Sequence, residues 1–408
     1  MKEITVTGGK PLFGRIEPSG SKNAALPIIF ASLITRGVSV IENAPDIGDV
    51  RVAIKMIEEL GAKVHRNGNS LTIDTTSLEY ARPRVELTSK IRASSYLIGA
   101  CLGRFGVFHL SDFGGCNFCN RPIDMHLYAA EKLGARIEDR VIKAEALGGN
   151  LIKFDKISVG ATINAIIMAA SAKGETLIMG ASNEPHVRAL IDYLSSAGAK
   201  IEICGDRIRI EPTPLGGGRI KVISDMIEAG TFLLLGPLTG GSIEVVGAAD
   251  LELDVFFDAF YKSGIDISYT SNSVSFIGEA KRRIEISTAP HPGYPTDLQP
   301  QVVPLMAAFC GGSIEENVWQ NRFSYLDELR HFGICYSEMA ENKVSISSGK
   351  INHATASAPD LRGGAAAVMC ALAAAGESKI KNADLIERGY SDFIGKLSSI
   401  GAEIYKDN

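Results

Sequence analysis

The chain has 408 residues, of which 45% are hydrophobic and 22% charged, and its formal net charge is −5. This length allows two or three domains with real cores, and the composition excludes a disordered, collagenous or disulfide-stapled chain. The mildly negative charge gives no reason to expect a nucleic-acid partner, because nucleic acids are bound by basic surfaces.

The first residues, MKEITVTGG, lack the pattern of a secretory signal and predict a first strand. The longest apolar runs, 231–238 and 365–375, are too short to cross a bilayer, so we expect no membrane partner. Seven cysteines in a chain of this length are typical of a reducing compartment. We therefore expect a cytoplasmic protein.

After this first strand, the helices and strands predicted along the chain form an internal repeat. Each unit holds a helix that is apolar all round, a glycine, a strand, an amphipathic helix, a second glycine, and a strand or hairpin. In the first unit the two helices cover 23–33 and 51–60, and a strand covers 71–74. The glycines after the amphipathic helices recur about every 68 residues, at Gly61, Gly134, Gly198, Gly264, Gly333 and Gly401. The glycines after the apolar helices recur with the same period, at Gly37, Gly106, Gly174, Gly241, Gly312 and Gly376.

Later elements continue this pattern. Strands are predicted over 207–210 and 273–277, the glycine-rich stretch 215–219 ends the third unit, and the last apolar helix covers 365–375. Six units divide most simply into two lobes of three, each with three buried helices inside and sheets outside. The predicted fold is therefore α/β, with six repeats in two lobes. The alternative is a single six-unit solenoid.

The starts of the apolar helices carry an unusual number of charges. The positions 13 to 15 residues before the glycines hold Lys22, Arg92, Gly160, Glu228, Asp297 and Arg362. Arg121 and Arg388 precede two amphipathic helices at a matching distance. Helix N-termini attract anions, and cations there strengthen the attraction. The pattern predicts a cleft that binds a substrate with several negative charges, whereas each residue alone could be an exposed or ion-paired side chain.

Two further positions are candidates for chemistry. Asp297 follows Pro295-Thr296 and is either a proton acceptor or a helix N-cap. Cys116 follows two glycines, and the nearby Arg121 would favour its thiolate. Cys116 and Cys119 also match half of a zinc or redox site, but no second half has suitable spacing, so we expect no metal.

The other cysteines and the tryptophan have less specific surroundings. Cys101, Cys204, Cys310, Cys335 and Cys370 lie in apolar or strand-like segments, and we expect them to be inert core residues. Trp319 is either packed in the core or covers a ring-shaped ligand.

Six motifs together resemble one family. They are the stretches 20–27 (GSKNAALP), 114–122 (GGCNFCNRP), 295–297 (PTD), 321–322 (NR), 360–362 (DLR) and 388–390 (RGY). In this order they resemble the UDP-N-acetylglucosamine 1-carboxyvinyltransferase family of enolpyruvyl transferases, sister to 5-enolpyruvylshikimate-3-phosphate synthase. The resemblance covers the whole chain. It implies two inside-out α/β barrel lobes, one over 22–229 and the other formed by 1–21 plus 230–408.

The resemblance also implies a reaction. The enolpyruvyl group of phosphoenolpyruvate passes to the 3-hydroxyl of UDP-N-acetylglucosamine with release of phosphate, by addition and elimination. This is the first committed step of peptidoglycan synthesis, which serves the cell wall, cell shape and cell division. It needs neither a metal nor an organic cofactor. The implied partners are these two small molecules, in a monomer or weak homo-oligomer that the epoxide fosfomycin inactivates.

The roles implied by the resemblance follow the matching motifs. The implied catalytic residues are Cys116, Asp297, Lys22 and Arg388. Those implied for phosphoenolpyruvate are Lys22, Asn23, Arg92, Arg121 and Arg388. Those implied for the UDP-sugar are Asn23, Arg92, Arg121, Pro122, Ile123, Asp124, Met125, Lys156, Ser158, Val159, Gly160, Asp297 and Val318. Supporting roles are implied for Asp49, Arg322, Asp360 and Arg362.

Three positions depart from the family pattern. Gln320 stands where a Glu is usual, Gly48 where a Lys is common, and Cys119 in place of a smaller residue. These departures leave the phosphoenolpyruvate end intact and concern the acceptor. The sequence therefore leaves two alternatives open: an enolpyruvyl transferase that acts on another uridine nucleotide, and a silent paralogue that binds nucleotides and regulates.

Overall fold

The computed structural model describes residues 2–114 and 122–407 and divides the chain into two compact units. The continuous unit runs from Gly20 to Ile223, and the split unit joins the residues up to Ser19 with those from Ser224 onward. Within the described residues, no helix is both long and apolar enough to span a membrane.

One apolar helix in each repeat is buried on every side. The six are α1 (Lys22–Ala31), α4 (Leu97–Phe105), α6 (Val159–Ala169), α8 (Met226–Leu238), α10 (Gln299–Ala308) and α12 (Leu361–Ala373). In the continuous unit α4 packs against both α1 and α6, and in the split unit α8, α10 and α12 pack against one another. These helices carry almost no charge along their length, so water is excluded from all their faces.

The remaining helices cover the outside of the units. They are α2 (Gly48–Glu59), α3 (Val85–Thr88), α5 (Asp124–Lys132), α7 (Pro185–Ser196), α9 (Asp254–Ser263), α11 (Leu326–Leu329) and α13 (Phe393–Ser399). The helix α9 shows how these helices stop, because Gly264 follows it with a φ of 96°. That left-handed conformation is accessible to glycine without a Cβ clash. All six glycines predicted after the amphipathic helices have such a positive φ, between 85° and 108°. Of the glycines predicted after the apolar helices, Gly174, Gly241 and Gly312 do not have a positive φ.

The strands of the continuous unit form three sheets. Their bounds are β3 (Val38–Glu42), β4 (Lys63–Asn67), β5 (Ser70–Asp74), β6 (Val107–His109), β7 (Arg136–Glu138), β8 (Val141–Lys143), β9 (Leu151–Lys153), β10 (Thr176–Met179), β11 (Lys200–Cys204), β12 (Arg207–Glu211) and β13 (Arg219–Lys221). Among the described residues, the strand orders are β13-β3-β5-β4, β6-β8-β7 and β9-β10-β12-β11.

The split unit also contains three sheets. Its strands are β1 (Glu3–Gly8), β2 (Phe13–Ile16), β14 (Ser242–Val246), β15 (Asp266–Tyr269), β16 (Ser273–Ile277), β17 (Ile284–Ser287), β18 (Gly312–Glu315), β19 (Tyr336–Ala340), β20 (Lys343–Ile346), β21 (Thr355–Ser357), β22 (Gly376–Lys381) and β23 (Glu403–Asp407). Within the described part of the chain, their orders are β2-β14-β16-β15, β17-β18-β20-β19 and β21-β22-β1-β23.

The five four-stranded sheets share one plan. An edge strand pairs in parallel with the strand that follows a buried helix, and the next two strands are antiparallel, as in β17-β18-β20-β19. The described part of the second repeat has the same antiparallel set, β6-β8-β7, in its sheet. The predicted architecture of six repeats, three in each of two lobes with helices inside and sheets outside, is confirmed. The solenoid alternative is excluded by the division into two units.

The split unit depends on the first strand of the chain. β1 lies between β22 and β23, with Ile4 opposite both Ile380 and Lys406. It therefore takes the place of the last strand of the sixth repeat. Nearby, β2 supplies the parallel edge of the β14 sheet and then leads into α1, while β13 supplies the edge of the β3 sheet and leads into α8.

The chain passes between the two units twice, after Ser19 and after Ile223. Within each unit, a backbone hydrogen bond joins the two passing segments. The amide of Asp225 donates to the carbonyl of Ser19 over 2.8 Å, and the amide of Ser21 donates to the carbonyl of Ile223 over 2.7 Å. Beside the first pair, Lys396 donates to both the Ser19 hydroxyl and the buried Glu228. Burial raises the pKa of Glu228 to about 7, although Lys396 acts in the opposite direction.

Element boundaries differ slightly from the predictions. The apolar run 365–375 covers only part of the last buried helix, which begins at Leu361, next to the start at Arg362 that the repeat spacing predicts. Asp360 caps this helix, and the Arg362 side chain is buried in its first turn. The expectation for the cysteines is correct for Cys101 and Cys370, which are buried, but wrong for the exposed Cys204 and Cys335. Cys204 is the last residue of β11, which is exposed along most of its length, and Cys335 lies just before β19. Cys310 is half-buried.

We predict that Ile4→Ala destabilises the split unit by about 2–5 kcal/mol, because it removes buried methyl groups from the strand that completes the sixth repeat. Ile4 is 2% exposed in the core of that unit. The free energy of unfolding in guanidinium measures the effect. Phe13→Ala is the control: Phe13 is 61% exposed, and its loss should change stability by less than about 0.5 kcal/mol. An unchanged denaturation midpoint for Ile4→Ala would contradict this account.

Candidate active site

In the split unit, Asp297 lies at the start of a buried helix between two arginines. It belongs to a 3₁₀ turn, Thr296–Leu298, that leads into α10. Arg362 donates to Asp297 Oδ2 from Nη2 at 3.1 Å and from Nε at 3.3 Å, and Nη2 of Arg322 lies 3.6 Å from Oδ1. The carboxylate keeps 35% of its surface exposed, whereas Arg322 and Arg362 are buried. The N-cap alternative for Asp297 is wrong, because Pro295 occupies the N-cap position of this turn.

Asp360 extends this group into a chain of alternating charges. Its Oδ1 accepts the amides of Arg362 and Gly363, which caps α12, and its Oδ2 accepts Nη1 of Arg322 over 3.3 Å. Burial has the largest single effect on the pKa of Arg362 and lowers it, but Asp297, Tyr390 and Asp225 together outweigh burial, and the pKa is raised. Two carboxylates and two guanidinium groups thus compensate one another, as buried charges require.

Tyr390 packs against Arg362. Its ring lies 5.5 Å from the guanidinium carbon of Arg362, and its hydroxyl contacts Thr231 Oγ1 at 2.9 Å and Gln301 Nε2 at 3.0 Å. One buried tyrosine therefore contacts side chains of α8, α10 and α12. Arg388, two residues earlier, ends a 3₁₀ segment, Ala383–Arg388, and is half-buried.

Glu316 connects two segments near Asp297. It is 3% exposed and follows β18 directly. One carboxylate oxygen accepts the backbone amides of Val318 and Trp319, at 2.8 and 3.0 Å. The other accepts the hydroxyl of Thr296 at 2.8 Å and an amide hydrogen of Gln299 at 3.5 Å. Trp319 itself is half-buried, so it is not a core residue.

In the continuous unit, Lys22 is the first residue of α1. Its Nζ lies 3.7 Å from Oδ2 of Asp49, which is in the first turn of α2. The lysine side chain is 16% exposed and that of Asp49 only 6%. Asn23, the next residue of α1, is half-buried. The sequence-predicted pair of a basic residue and a supporting acid is therefore brought together within this unit.

Arg92 opens the 3₁₀ turn, Arg92–Tyr96, that precedes α4. This turn packs against both α1 and α6. Nη2 of Arg92 donates to the carbonyl of Pro122 over 3.4 Å, so Arg92 reaches the segment 122–125 at the start of α5. Of that segment, Pro122 and Asp124 are exposed and Ile123 and Met125 are half-buried. The predicted Cys116, Cys119 and Arg121 lie outside the described residues.

The start of α6 is open to a ligand in its first turn. Ser158 is the N-cap, and its hydroxyl accepts the amide of Ala161 over 3.3 Å. Lys156 is exposed, and Ser158, Val159 and Gly160 are half-exposed. A Cβ at Gly160 would lie 3.0 Å from Cε1 and 3.1 Å from Nε2 of His126, so any larger residue here would require the imidazole ring to shift. The free amides of a helix start favour an anion here.

His126 is held in one tautomer. The Gly99 amide donates to Oδ1 of Asn164 over 2.7 Å, so the Asn164 amino group must face the carbonyl of Ser95 and Nδ1 of His126. Nδ1 therefore accepts a hydrogen bond, and the ring proton lies on Nε2. Burial, with the charge of Arg92 adding to it, lowers the pKa of His126 to about 4. The ring is neutral at pH 7 and directs a donor toward the start of α6.

The sequence singled out most charged residues of these clusters but missed several of their partners. Asn164 and Thr162 are the two polar residues within an apolar helical run, ATINAIIMAA, and that isolation was a usable signal. Glu316 had no such signal, and the RGY motif did not indicate what Tyr390 contacts, because the partners of that tyrosine are distant in sequence. Within residues 2–114 and 122–407, no three His, Cys, Asp or Glu side chains are grouped as a metal site requires.

We predict that His126 remains a neutral Nε2–H tautomer at pH 5 and that Asn164→Asp raises its pKa, because a carboxylate would face the ring. Ring-nitrogen NMR of ¹⁵N-histidine-labelled protein across pH 4–8 measures both effects. Asn150→Asp, the same change at an exposed position, is the control and should leave His126 unaffected. A His126 ring that is already charged at pH 6 in the unmodified protein would refute this assignment.

Comparison with known proteins gives a consistent result. The sequence model of the family described as EPSP synthase (3-phosphoshikimate 1-carboxyvinyltransferase) matches residues 6–397. A protein of Caldanaerobacter subterraneus named UDP-N-acetylglucosamine 1-carboxyvinyltransferase 3 is 38% identical, covering 100% of this chain and 99% of its own. A protein of Halothermothrix orenii named UDP-N-acetylglucosamine 1-carboxyvinyltransferase is also 38% identical, with 100% of both chains covered.

Solved structures agree on the fold. The enolpyruvyl transferase NikO from Streptomyces tendae superposes with a TM-score of 0.88 at 25% identity, covering 100% of this chain and 99% of its own. An EPSP synthase from Acinetobacter baumannii has a TM-score of 0.74 at 16% identity, with both chains fully covered. With the six-repeat fold, the arginine-flanked Asp297 and the full-length relatives, the chain belongs to the enolpyruvyl transferases and, among them, to the UDP-N-acetylglucosamine 1-carboxyvinyltransferase family.

Proposed function

We propose that this protein transfers the enolpyruvyl group of phosphoenolpyruvate to the 3-hydroxyl of UDP-N-acetylglucosamine and releases phosphate. This would be the first committed step of peptidoglycan synthesis. The choice of acceptor depends on one observation, the 38% identity over the whole chain to relatives that carry this name. The identity to the solved EPSP synthase is only 16%.

In this proposal, basic residues bind the donor. Lys22, Arg121 and Arg388 hold the phosphate and carboxylate of phosphoenolpyruvate, with Arg92 and Asn23 beside them. The limited exposure of Lys22, 16%, supports the role, because a cation that is largely removed from water interacts more strongly with an anion. These cations stabilise charge that develops on the phosphate as it leaves.

Asp297 accepts the proton of the acceptor hydroxyl. As the sugar oxygen bonds to C2 of phosphoenolpyruvate, that proton passes to Asp297, and the Cys116 thiol gives a proton to C3. Loss of phosphate from C2 and of a proton from C3 then restores the double bond. The ion pairs of Asp297 with Arg322 and Arg362 support this role, because they fix the direction of the carboxylate.

The sugar nucleotide contacts three segments of the chain. The residues 122–125, with Arg121, bind uridine; Lys156 and the segment 158–160 bind the diphosphate; and Val318 contacts the sugar. The half-exposed first turn of α6 supports the diphosphate assignment, since free helix amides bind anions. Asp49, Arg322, Asp360 and Arg362 act by holding the residues that touch substrate.

The remaining proposals concern the lobe boundaries, the cellular compartment and the oligomeric state. The functional lobes follow the division implied by the resemblance, 22–229 and 1–21 plus 230–408, except that residue 229 lies inside α8, so we place the second boundary after Ile223. The protein works in the cytoplasm, where phosphoenolpyruvate is made, as a monomer or weak homo-oligomer. Light scattering across a concentration series tests the last point.

A second candidate acceptor is another uridine nucleotide. Gln320, which departs from the usual Glu, lies exposed one residue after Trp319. A change at that position alters charge near the segment that we assign to the sugar. The donor chemistry is unchanged in this candidate.

We predict that phosphate is released from phosphoenolpyruvate when UDP-N-acetylglucosamine is present, and that EDTA does not reduce the rate. The basic residues and Cys116 supply the chemistry that a metal would otherwise provide. The measurement is a phosphate assay with a panel of acceptors: UDP-N-acetylglucosamine, other uridine nucleotides and shikimate-3-phosphate. Turnover confined to another uridine nucleotide would favour the second candidate, and equal turnover with shikimate-3-phosphate would refute both.

We predict that fosfomycin forms one covalent adduct per chain, on Cys116, and faster with UDP-N-acetylglucosamine present. A thiol near Arg121 is favoured as thiolate, the reactive form. Cys116→Asp should retain a proton donor and some turnover but lose alkylation, whereas the control Cys119→Ser should change neither much. Peptide mapping by mass spectrometry locates the adduct. An adduct on Cys119, or normal turnover by Cys116→Ala, would show that the assignment is wrong.

A further inference from the structure

Glu316 is bonded to two separate segments of the split unit. Its four hydrogen-bond donors come in two pairs, one on each carboxylate oxygen. The first pair is the backbone of Val318 and Trp319, and the second is the side chains of Thr296 and Gln299. A buried carboxylate has about four acceptor positions, so these donors use its whole capacity. The arrangement fixes the two segments relative to each other.

Both segments carry residues that the proposed function assigns to the acceptor. Thr296 precedes Asp297 in the same 3₁₀ turn, so the bond from Thr296 fixes the backbone from which the Asp297 carboxylate projects. The other segment contains Val318, assigned to the sugar. Neither segment contains a residue that we assign to phosphoenolpyruvate. Glu316 is thus placed to influence one substrate and not the other.

The position of Gln299 is also determined. The hydroxyl of Tyr325 donates to Oε1 of Gln299 over 2.6 Å, so the amino group of Gln299 faces Glu316. All three side chains are buried, and Gln299 is the first residue of α10. Each side chain of this network therefore has a single hydrogen-bonding orientation, as a rigid support requires.

We propose that Glu316 is a positioning residue for the acceptor: by bonding both the Thr296–Asp297 turn and the Val318–Trp319 backbone, it sets the distance between the proton-accepting carboxylate and the surface that holds the acceptor sugar. This inference rests on the proposed function. It assigns to Glu316 no contact with substrate. A misplacement of about 1 Å between such groups can cost about a hundredfold in rate.

The test compares three variants. Glu316→Ala removes all four bonds, whereas Glu316→Gln keeps a carbonyl oxygen for the amides of Val318 and Trp319. The control is Glu315→Gln, because Glu315 is the neighbouring residue on β18, half-exposed and paired at 3.8 Å with Lys343. Thermal denaturation of each variant is measured first, so that kinetics are compared among folded proteins.

Steady-state kinetics give the first readout. We expect Glu316→Ala to raise KM for UDP-N-acetylglucosamine about tenfold or more and to lower kcat, with KM for phosphoenolpyruvate changing less than about twofold. Glu316→Gln should recover most of the loss, and Glu315→Gln should resemble the unmodified protein. A merely structural role would reduce the active fraction and leave both KM values unchanged. That outcome, or a parallel rise of both KM values, overturns the proposal.

Fluorescence gives a second readout that needs no substrate. Trp319 is the single tryptophan of the chain, and its backbone is bonded to Glu316. We expect its emission to shift to longer wavelength and acrylamide quenching to increase in Glu316→Ala, but not in Glu316→Gln. An unchanged emission in Glu316→Ala overturns the inference. The fluorescence measurement does not depend on turnover, so it tests the role of Glu316 by itself. A protein that is inactive with every acceptor would refute the proposed function and leave the fluorescence result unaffected.

Discussion

The six helices that are apolar on every face are the constraint on which the rest of the structure depends. Such a helix cannot lie on a surface, so each must be enclosed by other elements. Three of them can cover one another only partly, and the remaining area is covered by sheets and amphipathic helices, as α8, α10 and α12 are in the split unit. The period of about 68 residues follows from this requirement, because each repeat supplies one buried helix and the sheet that covers it.

The same constraint explains where the polar chemistry lies. A helix that is buried along its length can carry charged side chains only near its ends. Lys22 is the first residue of α1, Asp297 lies just before α10, and Arg362 lies in the first turn of α12. Groups at such sites are partly removed from water, so each needs a compensating partner. The structure supplies Asp49 for the lysine and a chain of two arginines and Asp360 around Asp297. These partners hold the reactive groups in fixed directions.

The periodic features could be predicted from sequence, and the long-range contacts could not. Gly264 and the other helix-ending glycines, the six apolar helices and the charges at their starts all recur at a readable interval. The repeat spacing placed the start of α12 near Arg362, but the burial of that arginine could not be predicted, because it becomes understandable only with Asp297 and Asp360 beside it. Likewise, the tautomer of His126 depends on Asn164, 38 residues away, and on Gly99. Partners at such separations leave no local pattern.

Because β1 lies between β22 and β23, the protein is suited to circular permutation. Glu3 lies opposite Asp407 in adjacent strands, so a short linker could join these two ends without disturbing the sheet. New ends opened between Ser19 and Gly20 would then make each unit a single stretch of chain, with one crossing instead of two. The order of the strands would be unchanged. The split arrangement therefore depends on where the chain is opened and not on how the strands and helices pack.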